Sequence, residues 1–294
     1  MAETIELPIL KVLVTGANGQ LGSELRLLAP YYPTLQFLFT DFEELDITNT
    51  VSVDRFCTQF NPDFIINCAA YTAVDKAESD EPNAYKLNAE APSILAESAK
   101  KIDAKLIHIS TDYVFDGKAF EPYTEVFPTH PNSIYGKTKL VGEQFVLESE
   151  VGMVVRTAWL YSIYGKNFAK TIAQKGKDSS SLRVVFDQVG SPTWANDLAK
   201  ALVDIVLMGK KGFVPEVFHY SNEGVCSWFD FAHEIVKFYG HDCKIFPILT
   251  SEYPTPAKRP PYSVLNKAKI KSVYGVEIPH WRESLINCLK LLTI

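Results

Sequence analysis

Tyr135 and Lys139 stand four residues apart in Tyr135-Gly-Lys-Thr-Lys139, at the start of a helical stretch. That spacing puts both side chains on one helix face, where they converge on one small volume. Twenty-four residues before Tyr135, the run Leu106-Ile-His-Ile-Ser-Thr111 reads as a strand ending in a hydroxyl. Ligands of open α/β sheets bind beyond the carboxyl ends of the strands, so Thr111 is placed to meet the other two. A hydroxyl, a phenol and an ammonium together suit proton transfer to a carbonyl oxygen. A free tyrosine titrates near ~10, too high for ready proton exchange at neutral pH. A neighbouring ammonium favours the phenolate, so Lys139 is expected to lower the Tyr135 value while Thr111 polarises the carbonyl. Singly, each residue has a plainer reading. Tyr-x-x-x-Lys recurs on amphipathic helices, and Ser-Thr at a strand end caps turns. Their order along the chain favours the chemical reading.

Upstream lies a phosphate-binding signature. Gly16-Ala-Asn-Gly19-Gln20-Leu21-Gly22 follows the strand-like Leu10–Thr15 and opens a helical pattern, Gln20–Leu28. One glycine permits the tight turn, one lets a pyrophosphate approach the backbone, and one lets the helix pack on the strand. The helix start then offers N–H groups and the positive end of its dipole. Nineteen residues beyond Gly22, Asp41 ends the second strand. An acid there binds an adenosine ribose 2′-hydroxyl and repels a 2′-phosphate. No arginine follows closely, which favours NADH over NADPH while leaving dual use open. Lys139 would bond the nicotinamide ribose.

These residues need a scaffold. Leu35–Thr40, Phe64–Cys68, Lys105–Ser110 and Met153–Arg156 read as further strands, separated by helical stretches at Val51–Phe60, Asn83–Lys101 and Tyr135–Leu147. Such alternation implies right-handed crossovers and a parallel sheet covered on both faces. The expected fold class is α/β, a Rossmann-like doubly wound parallel sheet with a smaller C-terminal α+β substrate lobe. Residues 1–160 form the dinucleotide-binding domain, and 181–215 return to its sheet through a strand (Leu182–Phe186) and a helix (Ala195–Met208). Residues 216–294, with 161–180, make the substrate lobe.

Composition narrows the partners. The 294 residues carry 29 Lys+Arg against 35 Asp+Glu, a net charge of −6, with 47 % apolar residues. No general nucleic-acid binder is expected from an acidic chain, and no run reaches the roughly 20 apolar residues that cross a bilayer. The start, Met-Ala-Glu-Thr-Ile-Glu, lacks the basic and apolar parts of a signal peptide, so a cytoplasmic protein is expected. The five cysteines are odd in number and scattered, and read as buried free thiols. The six histidines show no metal-ligand spacing; His108, alternating with apolar residues, reads as a satisfied core histidine.

The motifs together carry a resemblance. From Lys11 onward the chain resembles the extended short-chain dehydrogenase/reductases and, within them, the dTDP-4-dehydrorhamnose reductase family. The segments that carry it are Asn67-Cys-Ala-Ala-Tyr-Thr-Ala-Val-Asp-Lys-Ala-Glu78, Ser110-Thr-Asp-Tyr-Val-Phe115 and Tyr135-Gly-Lys-Thr-Lys139. Arg156-Thr-Ala-Trp159, Asp187-Gln-Val-Gly-Ser-Pro-Thr193 and the stretch from Tyr253 through Arg259-Pro260 to Ser263 and Leu265 add to it. The resemblance implies NAD(P)H-dependent reduction of the C4 keto group of a dTDP-4-keto-6-deoxyhexose, with Tyr135 as proton donor, Lys139 its partner and Thr111 the third member. It implies that Gly19, Gln20 and Leu21 line the pyrophosphate, Asp41 the ribose, Asp46 and Ile47 the adenine, and Ala69, Ala70 and Tyr71 the rest of the cofactor. Thr111, Asp112 and Trp159 would contact the sugar and Arg259 the nucleotide diphosphate. Two alternatives share the fold: a non-catalytic regulatory subunit like the methionine adenosyltransferase β subunit, and a nucleotide-sugar epimerase or dehydratase.

One implied feature is missing. Members with a magnesium-bridged dimer supply three glutamates per subunit, and the matching positions here are Glu24, Asn196 and Leu291. One carboxylate cannot make the oxygen-rich site that magnesium requires. No metal and no metal-bridged dimer are expected, leaving a monomer or weak homodimer, with Glu24 a solvated first-turn residue.

Overall fold

Short Val-, Ile- and Phe-rich runs form the strands that position everything else. The computed structural model describes residues 9–292, so the acidic start at 1–6 lies outside the described residues. Five strands are β1 (Leu10–Thr15), β2 (Leu35–Thr40), β3 (Phe64–Asn67), β4 (Lys105–Thr111) and β5 (Gly152–Thr157). With Val217–His219 at one edge they make a six-stranded sheet in the order Val217–His219, β5, β4, β3, β1, β2. Every pairing in it is parallel.

Successive strand residues alternate between two apolar layers, as a pleat requires. Val12, Val14, Ile66 and Val155 face helix α1 (Gln20–Leu28) and the helix Ala195–Leu207. Leu13, Ile65, Leu106 and Val154 face α2 (Thr50–Phe60) and the helix Ala91–Lys101. The order reverses between β1 and β3, and at such a switch point a crevice opens beyond the strand ends. Gly16 sits there with φ +65°, and a Cβ on it would lie 2.5 Å from the Ala69 nitrogen. Only glycine fits both the backbone conformation and the space.

Two expectations are corrected. The strand at Ser181–Val185 does not return to the main sheet; it pairs in parallel with Lys244–Ile248 as a separate ribbon. The main-sheet edge is filled instead by Val217–His219, whose Phe218 is fully buried against Ile270 and Tyr274. The helix Ala195–Leu207 does pack on the main sheet's core. The stretch read as one helix over Asn83–Lys101 contains a π-helical turn at Lys86–Glu90. That wide turn presents the Asn88 side chain to the Tyr71 backbone and to Thr138. Gly142 of the helix Ile134–Glu148 packs directly on the Asn88 carbonyl, where no Cβ would fit.

A second core belongs to the C-terminal part. Helices Phe168–Asp178, Trp228–Tyr239 and Trp281–Leu291 bury Ile172, Phe231, Ile235, Trp281 and Leu285 against Tyr161 and Trp194. Ser227 caps the middle helix reciprocally with Asp230, and Gly240 closes it in a left-handed turn. Among the described residues no helix is long and apolar enough to cross a membrane.

Candidate active site

The strand ends and the loops after them enclose a cavity of about 770 Å³. Its lining includes Gly16, Gly19, Gln20 and Leu21 from the loop after β1, Asp41, Asp46 and Ile47 after β2, and Ala69 and Ala70 after β3. Thr111 and Asp112 at the end of β4, Tyr135 and Lys139 on the helix Ile134–Glu148, and Trp159 after β5 complete the set. Three sequence-chosen residues are not in the lining. Gly22 instead lets α1 pack on the strand, since a Cβ there would meet the Ala17 Cα at 2.5 Å. Tyr71 donates its backbone N–H to Asn88 and its hydroxyl to Asp80, at 2.8 and 2.9 Å. Arg259 donates through both terminal nitrogens to Asp75, at 3.0 and 2.8 Å, which holds that carboxyl below its usual range.

The Thr–Tyr–Lys trio is assembled, but its electrostatics differ from expectation. Ser133 caps the Tyr135 helix by accepting from the Gly136 N–H, which fixes the entry of Tyr135. The Tyr113 ring meets Tyr135 edge-on at 5.4 Å. Burial pushes the Tyr135 hydroxyl up to about 12, and the Thr111 hydroxyl offsets this only in part. Lys139 does not lower it: its Nζ donates to the Ile109 carbonyl at 2.7 Å and lies 3.1 Å from His108 Nε2. Burial also brings Lys139 down to about 8, with Glu143 pulling the other way. Thr111 caps the turn that follows it. It accepts from the Tyr113 N–H as a cap and donates to Asp112 Oδ1 at 3.0 Å, while lining the cavity.

Behind the trio lies a buried polar layer. His108 is fully buried between Lys139 and Asn67, so the core-histidine reading holds, and burial with the nearby lysine keeps the ring neutral. Glu143, one turn beyond Lys139, accepts from Arg156 Nε and Nη2, the latter at 2.7 Å, and from Ser110 Oγ. With Arg156 4 % and Glu143 1 % exposed, this pair ties the helix to β4 and β5 without solvent screening.

On the sugar side, Trp159 adopts φ +51°, a left-handed conformation that costs a tryptophan of order 1 kcal/mol. Surroundings over-determine it. Trp228 stacks on its indole at 3.5 Å between centroids, with the planes 6° apart. Gly190 touches the other parts, since a Cβ there would lie 2.7 Å from Trp159 Cε2 and 2.8 Å from Ser263 Oγ. Gln188 accepts from Trp228 Nε1 at 3.2 Å. Asp112 is 2 % exposed, and its Oδ2 has no hydrogen-bond partner. Burial raises its carboxyl to about 6 although the Ser263 and Thr111 hydroxyls draw it down.

The residues present fit a dinucleotide. No side chain caps the start of α1, where Gly19 is the N-cap, so its first N–H groups stay free for an anion. Asp41 Oδ2 accepts from the Asn18 N–H and Oδ1 from the Phe42 N–H, which orients the carboxylate at the edge of the cavity. Sequence reasoning missed Phe42, Cys68 and Lys166, all in the lining. Phe42 adjoins Asp41 and was legible by position; Lys166 stands in no motif. Cys68 was read only as a buried thiol, but it is partly exposed, and all five cysteines are free.

Glu24 is a further correction. It is not solvated: it is 1 % exposed, accepting from Ser162 Oγ at 2.6 Å and Asn196 Nδ2 at 3.0 Å where α1 meets the helix Ala195–Leu207. Leu291 lies elsewhere, 57 % exposed on the last helix. Among the described residues no group of three or more His, Cys, Asp or Glu is placed to hold a metal.

A parallel sheet with a 2-1-3-4-5 strand run, a glycine-cradled crevice and a Tyr/Lys pair beside it defines a Rossmann-like fold of the extended short-chain dehydrogenase/reductase kind. The family model described as RmlD substrate binding domain matches residues 10–294, and the chain belongs to this family. A dTDP-4-dehydrorhamnose reductase of Aggregatibacter actinomycetemcomitans is 39 % identical over 94 % of this chain and 97 % of its own. The crystal structure of such a reductase from Clostridium acetobutylicum superposes with a TM-score of 0.90 at 44 % identity, covering 96 % of this chain and 99 % of that one. Another, from Bacillus anthracis in complex with NADP, gives 0.89 at 38 % identity, with the same coverage of 96 % and 99 %.

Proposed function

We propose that the protein reduces the C4 keto group of a dTDP-4-keto-6-deoxyhexose, taking dTDP-4-dehydrorhamnose to dTDP-L-rhamnose. The observation that carries this reading is the convergence of Thr111, Asp112, Tyr135, Lys139 and Trp159 on the cavity that also holds the glycine loop. Membership of the family and the reductases among its relatives support it. A bound nicotinamide cofactor supplies the hydride. Tyr135 delivers a proton to the oxygen left at C4, and Thr111, turning its one hydroxyl hydrogen away from Asp112 Oδ1, donates to that oxygen. A Tyr135 hydroxyl at about 12 stays protonated through the neutral range and is thus an acid in reserve. With its Nζ turned from His108 toward the cavity, Lys139 would stabilise the phenolate left behind.

Gln20, Leu21 and the free N–H groups at the start of α1 would hold the pyrophosphate, Asp41 the adenosine ribose, and Asp46 with Ile47 the adenine. Asp41 argues for NADH, whereas the Bacillus anthracis relative was solved with NADP, so both reduced cofactors belong in the assay. Trp159 and Asp112 would hold the sugar, and Arg259, fixed by Asp75, would face the diphosphate. We infer a cytoplasmic monomer or weak homodimer without bridging metal, acting on an anionic nucleotide sugar.

The test is stoichiometric loss of NADH or NADPH absorbance on adding the 4-keto sugar nucleotide. Tyr135→Phe should lower kcat by about 10²–10⁴-fold with cofactor affinity nearly unchanged. Turnover close to wild type in that variant would remove Tyr135 as the acid. Product formation without net cofactor consumption would instead indicate an epimerase or dehydratase, and no turnover with intact cofactor binding a regulatory subunit.

A further inference from the structure

Four buried side chains run in series from the cavity into the sheet: Lys139, His108, Asn67 and Thr15. Their donors and acceptors admit one consistent assignment. A backbone N–H only donates, and that of Ala69 donates to Asn67 Oδ1 at 3.1 Å. This fixes which end of the amide is oxygen. Thr15 Oγ1 donates to the same oxygen at 2.8 Å. The Asn67 nitrogen therefore faces His108 Nδ1, 3.0 Å away, and donates to it. A neutral imidazole whose Nδ1 accepts carries its proton on Nε2. Nε2 lies 3.1 Å from Lys139 Nζ, so the lysine must accept there. An amine does so; an ammonium, with three donors and no lone pair, cannot.

We propose that His108 is a positioning residue that couples the charge of Lys139 to its place. As an amine, Lys139 accepts from His108 Nε2–H and is held against β4. As an ammonium it loses that bond, keeps the Ile109 carbonyl as acceptor, and turns its other N–H groups toward the cavity and Tyr135. Burial brings the lysine down to about 8, so the amine prevails above that pH and the ammonium below it, and His108 stays uncharged in both states. The groups facing Lys139 are few. Glu143 of its own helix and His108 of β4 act on it directly, and Tyr135, Asp112 and Tyr113 share the cavity lining with it. Arg156 from β5 engages Glu143, and the Lys86–Glu90 turn presents only the neutral Asn88, to Thr138. Glu143 favours the ammonium and the His108 donor opposes it, so the two set the balance. The tautomer argument is independent of the reaction; only its consequence for turnover rests on the proposed Tyr135–Lys139 chemistry.

The experiment uses the cofactor-free protein labelled with nitrogen-15 histidine, with the His108→Gln spectrum to assign the ring. Long-range proton–nitrogen correlations should show His108 protonated on Nε2 and bare on Nδ1 throughout the neutral range. Its Nε2 shift should step as Lys139 titrates, and the step should vanish in Lys139→Met. A ring protonated on Nδ1 would overturn the proposal, because Lys139 would then be donating. Asn67→Asp exchanges the donor for an acceptor and should turn the ring to the Nδ1–H form. In His108→Gln, an amide oxygen can accept from the ammonium. In both variants the basic limb of kcat/KM against pH should move up by about one unit, a tenfold change in proton affinity. A limb unmoved in both variants would also overturn it. If Tyr135→Phe stays active while the tautomer is as expected, the reaction reading fails and this one stands.

Discussion

Replacing Asp112 by asparagine should stabilise the folded protein, and by an amount that depends on pH. The carboxyl is 2 % exposed with Oδ2 unpartnered, and burial raises it from 3.8 to about 6. In the unfolded chain it titrates at its ordinary value. Between about pH 4 and 6 the folded state therefore holds more of this proton than the unfolded state. Asp112 thus costs no charge burial at the acid end, and wild-type stability falls through that window as the proton is given up. At about 1.4 kcal/mol for each tenfold step, the difference comes to about 3 kcal/mol. An amide does not titrate, so the advantage of Asp112→Asn should grow by about 3 kcal/mol from about pH 3 to pH 7 and then level off. Urea unfolding at a series of pH values, with the slope m shared between the proteins, measures this directly. A stability difference that is the same at both ends of the series would refute the reasoning. The variant should also bind the sugar nucleotide more weakly, since Asp112 lines the cavity and its charge is kept at the expense of stability.

Two further outcomes follow from the packing behind the site. Trp228→Leu removes the face on which Trp159 is stacked, worth about 0.5–1.5 kcal/mol beyond burial. KM for the sugar nucleotide should rise about 2–13-fold with kcat nearly unchanged, while the coupled-indole signal in near-ultraviolet circular dichroism disappears and Trp228→Phe partly restores KM. A fall in kcat alone would contradict this placement. Arg156→Met strands the buried Glu143 carboxylate with Ser110 as its remaining donor, which should cost about 3–5 kcal/mol in denaturant unfolding. Adding Glu143→Leu to that variant should recover a large part of the loss; no recovery would mean the damage lies in packing rather than in an unpaired charge.

The main sheet was legible because each of its first five strands is a near-continuous apolar run followed by a turn signal, and parallel strands buried on both faces require that pattern. Its sixth strand was not. Val217–His219 is three residues long, and nothing local separates it from a loop. Ser181–Val185 has the composition of a strand, but its partner, Lys244–Ile248, lies far along the chain, so its sheet could not be read from its own residues. Glu24 looked like a solvated helix-start acid because its partners, Ser162 and Asn196, are likewise remote in sequence. The π-turn at Lys86–Glu90 left no mark either, since the residues its Asn88 docks against, Tyr71 and Thr138, are remote in the chain.

What the sequence determined by itself is the chemistry on offer: a glycine loop after a strand, an acid at the end of the next, and a hydroxyl, phenol and ammonium at spacings that converge. Helix periodicity and strand polarity are local properties, and they suffice to place such groups on one edge of a sheet. Protonation and orientation are different, because they depend on what surrounds a group once the chain is closed. Only the tertiary structure decided that Tyr135 is an acid raised by burial, that Lys139 answers to His108 rather than to Tyr135, and that Trp159 is pinned by Trp228 and Gly190. Desolvation and hydrogen-bond partners come from residues distant in the chain, and no spacing rule carries them.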